Sequence, residues 1–184
     1  MTRGLGGIMG KATEYMDIYD ENRQKTGRIA DRKTPLKKGE FMMYVLAILE
    51  RPADGKMLIT RRALNKKWAA GAWEIPGGAS MAGESSFQAV EREVKEETGL
   101  DVSVCPDEQK TPVFSYMNED LERGDNYFVD IYHFKFSFEE KDVNIQKSEA
   151  IDHKFATVED ISELNEKSEF LHYRRLLQAL GFEK

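Results

Sequence analysis

The stretch from Gly77 to Leu100 constrains this chain more than any other. It holds two adjacent glycines, a short loop, and a run of helix length whose acidic and apolar residues keep to separate faces. Successive glycines suit neither helix nor strand, so Gly77-Gly78 predicts a loop. A helix is expected from about Ser85 to Thr98. Gly99 would stop it, being the residue type that most easily turns left-handed past a helix end. At roughly 100° per residue, Glu93, Glu96 and Glu97 share one narrow arc, with Phe87, Val90 and Val94 on an adjoining apolar stripe. One side packs, and the next displays three carboxylates.

Like charges three and four residues apart destabilise an isolated helix by a few tenths of a kcal/mol, so the cluster calls for a cation. A hard divalent ion, Mg2+ or Mn2+, takes oxygen ligands and commonly binds through a few carboxylates plus substrate phosphates. Ser86 and Ala89 are small and lie on the acidic side, which would leave space for a ligand. By charge pattern alone, a solvated glutamate face is the competing reading.

Around this segment the chain reads mostly as strands. Tyr15 to Tyr19, a turn at Asp20-Glu21-Asn22-Arg23, and Thr26 to Ile29 predict a hairpin within residues 14–35, after a loose tail over 1–13. Phe41 to Leu49 reads as a buried strand, Arg51 to Gly55 as a turn, and Lys56 to Thr60 as its partner. Trp73 to Pro76 is brief and extended. Val113 to Met117 and Tyr127 to Phe138 predict two more strands joined by an acidic loop; the second is apolar on both faces and so belongs mid-sheet. Thr157 with Asp160 caps a helix, and Phe170, Tyr173, Leu177 and Leu180 recur at helical spacing, giving an amphipathic helix at the carboxyl end. Strands grouped around one early helix, with helices at the end, imply an α+β fold: a mixed β-sheet in an α/β/α sandwich, not a doubly wound parallel fold. With no repeat, low-complexity tract or linker, residues 14–184 are expected to form one domain.

Composition removes several function classes. The 27 basic residues against 33 acidic ones leave a net charge of −6, the wrong sign for gripping long nucleic acids through their phosphates. The single cysteine, Cys105, excludes an internal disulfide, and with only three histidines no Cys/His zinc site can be assembled. No apolar run reaches the about 20 residues needed to span a bilayer, and the first ten residues lack a signal-like apolar run. A cytoplasmic protein that does not associate with membranes is expected.

Spacing carries the identification further. Gly78 through Leu100 reads glycine, five residues, glutamate, seven residues, then Arg-Glu-aliphatic-any-Glu-Glu-any-Gly-aliphatic. With nine specified positions in 23, all filled, the segment resembles the Nudix box. Leu58-Ile59-Thr60-Arg61-Arg62, Lys66, Trp68, Gly71, Trp73, Pro76 and the opening Tyr19-Asp20-Glu21-Asn22 with Thr26-Gly27 are similar to a bacterial Nudix branch related in sequence to isopentenyl-diphosphate isomerases. The resemblance implies a Nudix-type sandwich in which Glu93 and Glu97 are the principal ligands of Mg2+ (or Mn2+). Glu96 would assist, and Gly77 would lend its backbone carbonyl. Arg92 would pair with neighbouring carboxylates, and Glu84 would fix the loop at the positive end of the helix.

The reaction implied is Mg2+-dependent hydrolysis of a diphosphate linkage in a nucleoside di- or triphosphate, or in a nucleoside diphosphate joined to another group. Glu149 is the first candidate for a further carboxylate or general base, with Glu119 and Glu122 as rivals. Arg62 and Lys66 are expected to supply positive charge for the substrate's phosphates, and Trp68, Trp73 or Tyr127 could stack on a base. The partner is a small-molecule diphosphate, and the amino-terminal hairpin could pair between copies in a homodimer. One alternative is an isopentenyl-diphosphate isomerase-like enzyme, which needs a cysteine ahead of the box, where this chain has none. The other is a non-catalytic nucleotide-binding module, which usually loses box glutamates that are all present here.

Overall fold

A computed structural model describes residues 13–182 of the chain. Its elements in order are β1 (Tyr15–Tyr19), β2 (Lys25–Asp31), β3 (Met42–Glu50), β4 (Met57–Arg62), β5 (Trp73–Glu74), β6 (Gly77–Ala79), α1 (Ser86–Thr98), β7 (Phe114–Asn118), β8 (Tyr127–Lys135), β9 (Ala150–Ala156), α2 (Val158–Glu166) and α3 (Tyr173–Ala179). Of the tail expected over residues 1–13, residues 1–12 lie outside the described residues. Among the described residues no helix is long and apolar enough to cross a membrane.

The fold is an α+β sandwich built on a mixed sheet. β3 runs parallel to β8 along its full length, and β8 is flanked on its other edge by antiparallel β7, so the doubly apolar strand lies mid-sheet as its sequence requires. On one face Val45, Ala47, Leu49, Tyr132 and Phe134 pack against Val90 and Val94 of α1. On the other, Ile48, Ile59, Val129 and Ile131 pack against Ile161 and Leu164 of α2 and Leu176 of α3.

β3 and β4 behave differently from a simple hairpin. They pair at a single position, Glu50 with Met57, and then part. The segment from Trp73 to Ala79 enters between them: β5 pairs with β4 through Trp73 and Glu74, Ala47 N–H donates to the Pro76 carbonyl (2.8 Å), and β6 pairs with β3 from Tyr44 to Leu46. This wedge carries the glycines ahead of α1 into the middle of the sheet. The other edge of β4 is covered by β9, a strand whose sequence Ala-Ile-Asp-His-Lys-Phe-Ala has no clean alternation to announce it.

α1 forms as expected. Ser85 caps it by accepting from Gln88 N–H, while the Gln88 side chain accepts from Ser85 N–H, a capping box that contributes about 1 kcal/mol. Gly99 ends the helix in the left-handed conformation. The carboxyl-terminal helix is shorter than its periodicity predicts. Phe170 lies outside α3, in a β-bridge to Trp73, and Leu176 is the helix's fully buried residue.

β1 and β2 form a separate two-stranded sheet docked on the same chain. Tyr19 and Phe41 exchange backbone hydrogen bonds of 2.8 and 2.9 Å. Lys25 pairs with Asp17, and Arg23 reaches across to Asp130.

Candidate active site

The two glycines before α1 are not a loop. They lie in β6 because a side chain would not fit there: a Cβ on Gly77 would stand 2.1 Å from the Val45 carbonyl oxygen, and one on Gly78 would stand 2.6 Å from the Glu93 carboxyl carbon. Glycine is required here by close approach, which overrides its poor strand propensity. The consequence is that the last turns of α1 lie directly against the wedge. Gly77 N–H donates to Glu97 Oε2 at 3.0 Å.

Arg62, Lys66, Gly77, Arg92, Glu93, Glu96, Glu97 and Glu149 all line one cleft of about 190 Å³. The structure thus brings these eight residues together, while the rival carboxylates and the candidate stacking residues named from the sequence lie outside this cleft. Arg92 is the organising cation: it bonds Glu84 through Nε and Nη2 (2.6 and 2.9 Å), Glu93 (2.8 Å), Glu96 (3.3 Å) and the Ala79 carbonyl (2.9 Å). Glu84 stands just outside the helix and also accepts from Met81 N–H (2.8 Å), so it clasps the loop; the Arg92 bonds hold its carboxyl below the usual range despite partial burial. Arg62 pairs with Glu74 (2.8 Å) and Lys66 with Glu149, so both basic residues face the cleft already engaged with a carboxylate.

Glu97 differs from these. Glu14, Glu93, Glu96 and Glu149 each pair with a cation, but among the described residues Glu97 has no ion-pairing side chain. Burial raises its carboxyl well above the ordinary range, and the charges of Glu93, Glu74 and Glu149 push the same way against the single opposing N–H of Gly77. Glu93 is also raised, by burial, with Arg92 opposing. Among the described residues no three acidic, histidine or cysteine side chains form a ready-made cage for one ion. The donors are nonetheless all hard oxygens, the deepest lacks a cation, and Gly78 leaves room for the Glu93 carboxylate. This suits a divalent ion that arrives with waters and phosphate oxygens, as Mg2+ does.

A second cavity of about 350 Å³ adjoins the cleft. Tyr44, Tyr116, Tyr127, Trp68 and His172 form its aromatic wall, and it shares Arg32, Arg62, Gly77 and Gly78 with the first. Of the three residues considered for stacking, Trp68 and Tyr127 line this cavity, whereas Trp73 is a core residue at 8% exposure. Glu119 and Glu122 line neither cavity.

The expectation for the small residues of α1 is corrected. Ser86 and Ala89 do not open space for a ligand: Ala89 is fully buried in the core, and Ser86 donates to Asp130 (2.6 Å) while accepting from the Tyr132 hydroxyl (2.9 Å). Cys105 is buried in the core between α1 and the sheet, where burial pushes its thiol up, and it lines neither cavity.

Sequence reasoning missed Glu74, Asp130, Glu14 and Arg32. A signal existed for Asp130, the one charge in the apolar run Phe128 to Tyr132. None existed for Glu14 and Arg32, which reach the cleft only through docking of the hairpin.

Comparison with known proteins bears on the family and the fold. The NUDIX domain model matches residues 40–180. An uncharacterized Nudix hydrolase of Listeria monocytogenes is 32% identical over 169 residues, covering 91% of this chain and 94% of that one. The CTP pyrophosphohydrolase of Escherichia coli is 43% identical over 65 residues, 35% of this chain and 46% of that one. Among solved structures, DR0079 from Deinococcus radiodurans superposes with a TM-score of 0.66 at 20% identity, over 85% of this chain and 91% of that one.

Proposed function

Because the chain belongs to the Nudix family and is a hydrolase of pyrophosphate bonds, we propose that it uses Mg2+, or Mn2+, to cleave a diphosphate linkage in a nucleoside di- or triphosphate, or in a nucleoside diphosphate joined to another group. The observation that carries this reading is Glu97: a carboxylate deep in an acidic cleft, crowded by Glu93, Glu74 and Glu149 and without a counter-cation among the described residues.

Glu93, Glu96, Glu97 and the Gly77 carbonyl would hold the ion. When bound, it neutralises phosphate oxygens and lowers the pKa of a coordinated water. The chain's own residues do the remaining work. Arg92 holds the Glu93 and Glu96 carboxylates on the cleft side of α1. Arg62 and Lys66 offer charge-assisted bonds to phosphate oxygens, exchanging part of their contact with Glu74 and Glu149 as the substrate enters. Glu149, once Lys66 is shared with phosphate, takes the proton of the attacking water. The nucleoside enters the neighbouring aromatic cavity, where Tyr44, Tyr127 and Trp68 offer ring faces. The E. coli relative named for CTP supports a nucleotide substrate. A lone buried thiol fits a reducing, cytoplasmic setting.

The test is Glu97→Gln in an assay that separates substrate from products (nucleoside monophosphate, phosphate, pyrophosphate, ribose 5-phosphate, isomerised alkene) over a panel of nucleoside di- and triphosphates, ADP-ribose and isopentenyl diphosphate with Mg2+. Loss of a ligand worth several kcal/mol in the transition state is expected to reduce turnover on the order of 10³-fold with the fold retained. Unchanged turnover in the variant, or a wild type inert towards the whole panel, would refute the assignment.

A further inference from the structure

The family match begins at residue 40, yet part of the cleft wall comes from before it: Glu14, Met16 and Arg32, at the open end of the β1–β2 hairpin. These residues are held rigidly against the box. Ala82 N–H donates to the Tyr15 carbonyl (2.8 Å), Gly83 N–H to Asp17 Oδ2 (2.9 Å) and Lys25 Nζ to the Glu84 carbonyl (2.9 Å), which ties the hairpin to the loop that leads into α1. Arg32 N–H closes the hairpin on the Glu14 carbonyl (2.9 Å), and the Arg32 guanidinium pairs with the Glu14 carboxylate (2.9 Å). It also lies 5.7 Å from the Tyr44 ring centroid.

Arg32 and Arg62 are the two cations common to the carboxylate cleft and the aromatic cavity. A molecule with its diphosphate in the first and a planar group in the second must pass between them. The two differ in availability. Arg62 is paired with Glu74 (2.8 Å) and donates to the Trp68 carbonyl (3.3 Å), so it reaches phosphate only by giving up part of that pairing. Arg32 is exposed, and of its five N–H donors its bonds to Glu14 and to the Tyr44 side chain leave others to spare.

Resting on the reading of the cleft as a diphosphate site, we infer that the amino-terminal hairpin is part of the active site and that Arg32 binds a non-bridging oxygen of the substrate's diphosphate at the junction of the two cavities. Its contacts with Glu14 and Tyr44 hold the guanidinium at the junction, where its remaining donors face a phosphate as a fork. The hairpin thus supplies a substrate-binding residue, and Glu14 is the positioning residue that holds it before substrate arrives.

The experiment uses the full chain. Wild type, Arg32→Gln and Arg32→Lys are compared for kcat and KM on the best substrate of the panel. Affinities for methylenediphosphonate and adenosine 5′-(α,β-methylene)diphosphate with Mg2+ are measured by calorimetry. Removing a charged hydrogen bond is expected to raise KM, and both dissociation constants, roughly tenfold or more in Arg32→Gln, with kcat within about threefold. Arg32→Lys, which keeps the charge and loses the fork, should recover part of the affinity. Equal melting temperatures of the three proteins would exclude a folding effect. A KM and diphosphonate affinity unchanged in Arg32→Gln, or a fall confined to kcat, would overturn the inference while leaving the hydrolase reading intact. A wild type inert on the whole panel would instead overturn the reading on which it rests.

Discussion

α1 meets a carboxylate at each end, and the two are treated in opposite ways. At its first turn, Asp130 of β8 is 2% exposed and fully engaged. Arg23 donates to Oδ1 and Oδ2 (2.8 and 2.9 Å), Ser86 to Oδ2 (2.6 Å) and Ser115 to Oδ1 (2.5 Å). In its last turn, Glu97 receives one backbone N–H and faces like charges. The first arrangement is finished: one ion pair joins the hairpin turn, α1 and β7 to the central strand. The second has no paired cation among the described residues, and on the proposed reading a divalent ion supplies it. A satisfied buried carboxylate serves stability, whereas a frustrated one marks where a ligand supplies the missing charge.

The comparison is broken most directly by neutralising each carboxylate. Glu97→Gln should cut turnover on the order of 10³-fold and leave the melting temperature unchanged or raised, because it removes repulsion along with charge. Asp130→Ala should do the reverse. Breaking a buried hydrogen-bonded pair costs about 3–5 kcal/mol, and the lower end applies here because Arg23 keeps access to water at 37% side-chain exposure. A urea titration is therefore expected to show a loss of about 3 kcal/mol, with the folded fraction still active. If folded Asp130→Ala were as inactive as Glu97→Gln, the division between the two ends of the helix would fail.

A smaller effect sharpens the same contrast through linkage. Free Mg2+ at about ten times its dissociation constant should stabilise the wild type by about 1.4 kcal/mol, a rise of about 3–6 °C in melting temperature. The ion should stabilise Asp130→Ala by the same increment and Glu97→Gln by little. Thermal scans with and without Mg2+ measure this. A full increment retained in Glu97→Gln would place the ion elsewhere.

The contrast between the two ends of α1 was half visible in the sequence. Glu93, Glu96 and Glu97 were legible because helical periodicity and the box spacing are local properties of the chain. The capping residues Ser85 and Thr157 and the doubly apolar β8 were legible for the same reason. What was lost is whatever depends on two distant segments meeting. Gly77 and Gly78 read as a loop because their strand exists only through contact with β3 and with Glu93. β3 and β4 read as an ordinary pair because the wedge that separates them comes later in the chain. Ser86 read as open space because its partner Asp130 lies 44 residues away. Arg32 and Glu14 left no local trace, since their position is fixed by hydrogen bonds from the hairpin to the box loop.

A third carboxylate, Glu50, lies between the two extremes and gives the smallest effect. It ends β3 where β4 turns away, and it contacts His133 Nε2 at 2.6 Å and Lys135 Nζ at 3.3 Å. Burial lowers the His133 pKa below its ordinary 6.5, and the Glu50 contact offsets only part of that shift. The ring is therefore neutral near pH 7, and the contact is a hydrogen bond donated by Nε2–H to the carboxylate. The sign follows from the depressed folded pKa. The unfolded chain binds the proton more readily, so this stabilisation is fully present above about pH 6.5 and is lost as pH falls through the folded pKa. His133→Gln keeps a donor for Glu50 but cannot titrate in this range. The melting temperature of wild type relative to this variant should fall by no more than a few degrees between pH 7.5 and 5.5, while carboxylates common to both proteins cancel from the difference. A relative rise on acidification would mean that His133 is charged in the fold, and that Glu50 belongs with Asp130 among the fully paired carboxylates.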